Sequence, residues 1–154
     1  MTSSILDKLS DQTGILFDAN QFLYRTYHIL KAKSGKELTY GFIGYSFLSQ
    51  IRSALDELDV MNPIPFIIWD SPTSRNLRTG IFPEYKGNRS PSPDILRTTR
   101  QLLQSEMGAI CPRLNISYPD IEADDIMGIT ITTFNDLFKG GWVIGTRDED
   151  LVQC

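Results

Sequence analysis

Residues 14–20, Gly-Ile-Leu-Phe-Asp-Ala-Asn, decide how the rest of the chain is read. Ile15, Leu16 and Phe17 form an apolar run of strand type that ends on Asp18, and Asn20 stands where it can cap a following helix running to about Leu30. The same phrase recurs. Phe-Ile-Ile-Trp-Asp (66–70) ends a second apolar run on Asp70, and Trp-Val-Ile-Gly-Thr (142–146) leads into Asp148 and Asp150. Ile-Glu-Ala-Asp-Asp (121–125) places Glu122, Asp124 and Asp125 at a helix start. Strands alternating with helices predict an α/β domain with a mostly parallel central sheet flanked by helices. The carboxyl ends of parallel strands share one edge, so these acids should meet. Unpaired, they would repel by several kcal/mol, so a cation is expected among them.

Outward from these phrases, Ile43, Phe47, Ile51, Leu55 and Leu58 recur at helical spacing between Phe42 and Leu58. Met-Asn-Pro-Ile-Pro (61–65) breaks that helix before the second strand. Residues 71–93 hold Pro72, Gly80, Pro83, Gly87, Pro91 and Pro93, too many breakers for regular structure throughout, which predicts a long functional excursion. Ser92-Pro93-Asp94 starts a helix with Pro93 at its first position, ending near Gly108 with Leu96, Leu103 and Met107 on one face. Residues 113–118 are expected to give a third strand, and a helix from Glu122 to about Phe138 is stopped by Gly140-Gly141.

At 154 residues the chain is read as one domain over 1–154, without repeats. No apolar stretch approaches a membrane span and the first residues lack a signal-peptide pattern, so the cytoplasm is the default expectation. Two cysteines and one histidine cannot make a zinc site of the usual spacing. The net charge of −4 is unevenly spread. Between Ser71 and Arg100 six basic residues face two acids; from Gln101 onward three face nine. A basic stretch beside an acidic pocket suits phosphate-backbone binding next to metal-dependent chemistry.

Glu122 and Asp125 share a helix face, Asp124 can turn to a second ion, and the helix dipole favours anions there. Asp148 and Asp150, two apart beyond a strand, can point into one site. Oxygen-only ligands suit Mg2+ or Mn2+. Two such ions can activate water and stabilise a leaving oxygen in phosphodiester hydrolysis. Any one acidic pair alone would be read as solvated caps; the repetition at strand ends carries the metal reading.

Phe-Leu-Tyr-Arg-Thr-Tyr-His-Ile-Leu (22–30), Tyr-Gly-Phe (40–42), FIIWD, Phe-Pro-Glu-Tyr-Lys-Gly-Asn-Arg (82–89), IEADD and Gly-Thr-Arg-Asp-Glu-Asp-Leu-Val-Gln (145–153) stand in the order and spacing of the 5′-nuclease family. Over residues 14–153 the chain resembles the N-terminal 5′–3′ exonuclease domain of bacterial DNA polymerase I and the phage 5′ nucleases, relatives of flap endonucleases. The resemblance implies that Asp18, Asp70, Glu122, Asp124 and Asp125 form a first metal cluster, with Asp70 and Asp124 essential to catalysis. Asp148 and Asp150 match two ligands of a second ion. It further implies that residues 71–93 form an arch-like basic excursion, with Lys86 neutralising the scissile phosphate, Arg78 and Arg89 holding backbone phosphates and Tyr85 stacking on a base. Arg25 is expected to touch phosphate or form a surface salt bridge. Arg97 and Arg100 are read as a solvated helix face, and His28 as a packed helix residue.

Relatives continue past the Asp-x-Asp pair with a helix–hairpin–helix region that grips duplex DNA and adds aspartates. The sequence carries neither, so a truncation, a split enzyme completed by a second polypeptide, and a decayed copy stand as alternatives, and an open sheet edge is expected. The activity implied is Mg2+-dependent 5′–3′ exonuclease or flap endonuclease action on DNA or RNA–DNA hybrids in replication and repair. The rivals are a non-catalytic assembly piece and a PIN-type ribonuclease.

Overall fold

The computed structural model describes residues 11–34, 37–84, 91–111 and 114–146. Strand β1 (Thr13–Asp18) runs at the centre of a four-stranded sheet. It pairs in parallel with β2 (Pro63–Trp69) on one side and β4 (Trp142–Gly145) on the other. A short β3 (Asn115–Ser117) extends the sheet beyond β2, giving the order β3-β2-β1-β4. The register sets Asp18 beside Ile68, Phe17 beside Gly145 and Trp69 beside Ser117, so all four strands exit at one edge.

Alternation along β1 and β2 divides the core in two. Ile15, Phe17, Ile67 and Trp69 face one side, where helices α1 (Ala19–Lys33), α2 (Tyr40–Glu57) and, after a short α3 (Ser74–Ile81), α4 (Asp94–Ile110) cover them. Leu16 and Ile68 face the other, under Ala123 and Met127 of α5 (Ala123–Thr133). The helical spacings expected of α2 and α4 hold: Ile43, Phe47 and Ile51, and Leu96 and Leu103, are buried against the sheet.

Several boundaries move, each for a local reason. Helix α1 starts directly after β1, so Asp18 rather than Asn20 is its cap, accepting the Gln21 N–H at 3.0 Å. Pro93 stands at the cap position of α4 rather than inside it, and the helix runs two residues past Gly108. The excursion over 71–93 is not wholly irregular, because α3 fits between Pro72 and Pro83. Helix α5 ends at Thr133, not at the glycines. Phe138 is instead tucked under the sheet edge, edge-on to Trp142 with ring centroids 4.7 Å apart, and Trp142 Nε1 donates to the Phe134 carbonyl. Gly141 then supplies the left-handed turn into β4, with φ of 73°.

Close packing at that edge requires Gly14. A Cβ there would lie 2.4 Å from two ring carbons of Trp142 and 2.7 Å from Phe138. Gly14→Ala is expected to destabilise the fold by about 1–3 kcal/mol. Gly128→Ala, whose added Cβ meets nothing within 4 Å, should instead stabilise α5 by up to about 1 kcal/mol. Urea-unfolding midpoints of the two variants, moving in opposite directions, check this.

Candidate active site at the carboxyl edge of the sheet

Two backbone links bring the acids together. Ser71 N–H donates to the Ile121 carbonyl at 3.1 Å, tying the exit of β2 to the entry of α5. Asp70 Oδ1 accepts the Ala123 N–H at 2.8 Å, one of the orphan donors at the α5 N-terminus. Glu122 occupies the cap position of α5 and is buried, while Asp124 and Asp125 lie in its first turn. Asp18 arrives from the adjacent β1. Thr146 Oγ1, just past β4, lies 3.5 Å from Gln21 Oε1, so the fourth strand exit sits beside the start of α1.

The electrostatics report this convergence. The Asp18 carboxyl is pushed up to about 6, first by burial and further by the charges of Asp70 and Asp124, against the lowering effect of the Gln21 N–H. Asp124 is also raised, first by burial and then by Asp125 and Glu122, although the Asp125 N–H and Arg78 pull it down. In both, burial is the larger cause, and the like charges of neighbouring acids add to it.

Among the described residues, two arginines reach these acids. Arg78, on α3, lies among the α5 acids. Its Nη1 is 3.0 Å from Glu122, and its Nη2 is 2.8 Å from each oxygen of Asp125 and 3.6 Å from Asp124. Its expected partner was backbone phosphate; here it holds carboxylates. Arg100, expected on a solvated face, instead donates from Nη2 to the Asp70 carbonyl, with its guanidinium 6.0 Å from the Trp69 ring centroid. Burial lowers its pKa and the Asp70 charge raises it. Sequence reasoning missed Arg100, yet the signal was there: it follows Leu96 by four and precedes Leu103 by three, on the stripe that faces the core. Arg97 is solvated as expected and pairs with Asp94.

Arg25 is exposed on α1 and, among the described residues, pairs with none of the acids. His28 is exposed rather than packed, its ring 4.3 Å from Tyr24 and 5.2 Å from Tyr27. Tyr85, Lys86, Arg89, Asp148 and Asp150 lie outside the described residues.

A profile of the 5′–3′ exonuclease N-terminal, resolvase-like domain matches residues 13–154. The chain belongs to this family. It is 34% identical over 145 residues to a 5′–3′ exonuclease of Buchnera aphidicola subsp. Baizongia pistaciae, covering 90% of this chain and 44% of that protein. A DNA polymerase I of Pseudomonas aeruginosa matches at 28% identity over 94% of this chain and 15% of its own length. The chain thus spans about half the length of the exonuclease relatives it matches. In structure it resembles the phage T5 D15 protein co-crystallised with metal ions, with a TM-score of 0.52 and 14% identity over 90% of this chain and 49% of that one. That likeness concerns the fold. Among the described residues no helix is long and apolar enough to cross a membrane.

The donor set fits a hard divalent ion in its chemistry: oxygen ligands only, from several anions that lie close enough to raise one another's pKa. Among the described residues, however, no three acid, histidine or cysteine side chains close on a common point as a ready ligand shell. The oxygens are engaged internally instead, by Gln21, Ala123 and Arg78.

The raised pKa of Asp18 has a definite sign. Between its ordinary 3.8 and about 6 the folded chain keeps a proton that the unfolded chain has released, so stability falls as pH rises through that window. Asn can accept the same capping bond without the charge. Asp18→Asn is therefore expected to raise stability in metal-free buffer at pH 7.5 by on the order of 2 kcal/mol. The gain should fade below about pH 4, where both forms are neutral. Urea midpoints at the two pH values check this, and an equal gain at both would contradict it.

Proposed function

We propose that this chain forms the catalytic portion of a metal-dependent 5′ nuclease, hydrolysing phosphodiesters of DNA or RNA–DNA hybrids as a 5′–3′ exonuclease or flap endonuclease in replication and repair. One observation carries the reading. In a chain of the 5′–3′ exonuclease family, Asp18, Asp70 and the α5 acids converge from separate elements, and two of them are raised in pKa by burial and by the charges of their neighbours.

Asp18, Asp70, Glu122, Asp124 and Asp125 would hold a first Mg2+ or Mn2+, and Asp148 and Asp150 would contribute to a second. Bound there, the ions would supply the positive charge that favours attack of water on a phosphodiester. The protein's own part is to fix the donors. Ala123 N–H orients the Asp70 carboxylate, Arg100 holds the backbone at Asp70, and Gln21 N–H orients Asp18. Lys86 would offset charge developing on the scissile phosphate, Arg25, Arg78 and Arg89 would hold backbone phosphates, and Tyr85 would stack on a base.

A second reading is that catalysis requires the counterpart of the relatives' remaining half, whether joined to this chain or supplied by another polypeptide. The fact favouring it is that the chain aligns with 44–50% of the exonuclease relatives. A 5′-flap DNA labelled at its 5′ end tests both. Asp70→Ala and Asp124→Ala are expected to lower Mg2+-dependent cleavage by more than about 100-fold while leaving the circular-dichroism spectrum unchanged. Wild-type cleavage that persists in excess EDTA would refute the metal mechanism. Metal-dependent cleavage appearing only after a C-terminal half is added would establish the second reading.

A further inference from the structure

We propose that Arg78 is the internal counter-cation of the acidic site, and that a divalent ion loads by displacing it. This inference rests on the metal reading above and adds a step to it. One guanidinium spans the three acids at the α5 N-terminus: Glu122 at 3.0 Å, both oxygens of Asp125 at 2.8 Å, and Asp124 at 3.6 Å. These are the oxygens an ion would need. A guanidinium fork and a hard cation cannot both take the two Asp125 oxygens.

The charge balance favours exchange. Among the described residues, the single positive charge of Arg78 meets three carboxylates, and Asp70 is tied to the same helix start through the Ala123 N–H. A monovalent cation therefore leaves negative charge uncompensated, and a divalent one compensates more of it. The absence of a ready ligand shell among the described residues follows too, since the acids are arranged around the guanidinium.

Exchange would also free α3. That helix has no side-chain cap, and Ile81 and Phe82 at its C-terminal end are 68% and 67% exposed. The ion pairs of Arg78 tie α3 to the first turn of α5. Loading the ion would release Arg78 to an anion of the substrate, coupling metal and phosphate binding through one side chain.

Calorimetric titration of the 154-residue chain with Mn2+ tests the exchange, using Arg78→Met to keep length and remove charge, and Arg78→Lys to keep charge and lose the fork. Arg78→Met is expected to bind Mn2+ about tenfold more tightly than wild type, with Arg78→Lys between them. Its metal-free melting temperature should be lower than wild type, and the gap should close at saturating Mn2+. An affinity equal to or weaker than wild type would overturn the exchange while leaving the metal reading intact. No Mn2+ binding by wild type would overturn both. Hydrogen exchange on wild type gives a measure free of any folding defect: Mg2+ should speed amide exchange over residues 74–82 while protecting Ala123–Asp125, and slower exchange over 74–82 would refute the release.

Discussion

Parallel pairing of β1 with both of its neighbours is the constraint on which the rest depends. It sends every strand exit to one edge, so residues far apart in sequence become neighbours there: Asp18, Asp70 with Ser71, and Thr146. The β2-to-α5 link between Ser71 and Ile121 then adds the acids of α5 to the same edge. An antiparallel arrangement of the same strands would scatter these charges over two edges. The fold thus creates an electrostatic problem, and the side chains around it show how that problem is partly met.

The compensation is graded by position. Backbone N–H groups of Gln21 and Ala123 satisfy single oxygens of Asp18 and Asp70, which orients them without supplying a full charge. Arg100 approaches from behind, through the Asp70 carbonyl and over Trp69, so its charge acts on the site without covering the carboxylate. Arg78 comes from the front and occupies the α5 acids directly. Among the described residues, two guanidiniums meet these five carboxylates, and burial together with the like charges of neighbouring acids raises the pKa of Asp18 and Asp124. A buried, ionised Glu122 without a cation beside it would cost several kcal/mol, and Arg78 pairs with it at 3.0 Å.

Much of this was legible in the sequence because it depends on short-range patterns. Continuous apolar runs ending on acids marked β1 and β2, and helical spacing marked α2 and α4 with the correct buried faces. Asp18, Asp70, Glu122, Asp124 and Asp125 were all chosen from their positions at strand ends and a helix start. What escaped depended on tertiary contact. The early end of α5 follows from the packing of Phe138 against Trp142, which no local propensity encodes. The placing of Arg78 requires α3 to fold back over α5, and that of Arg100 requires the inner stripe of α4 to reach Asp70. The sequence made Arg100 look like a surface charge and Arg78 a phosphate contact; geometry places both beside the acidic edge.

The central claim is that the carboxyl edge of this sheet is a cation site. Paramagnetic broadening of amide resonances by substoichiometric Mn2+ tests it most directly, because it reports location without requiring catalysis. The account predicts early loss of the Asp18, Ala19, Ser71, Ala123 and Asp124 amide signals, with Thr13, Ile64 and Trp142 at the opposite edge persisting. Broadening centred on that opposite edge, or spread evenly over the surface acids, would contradict it.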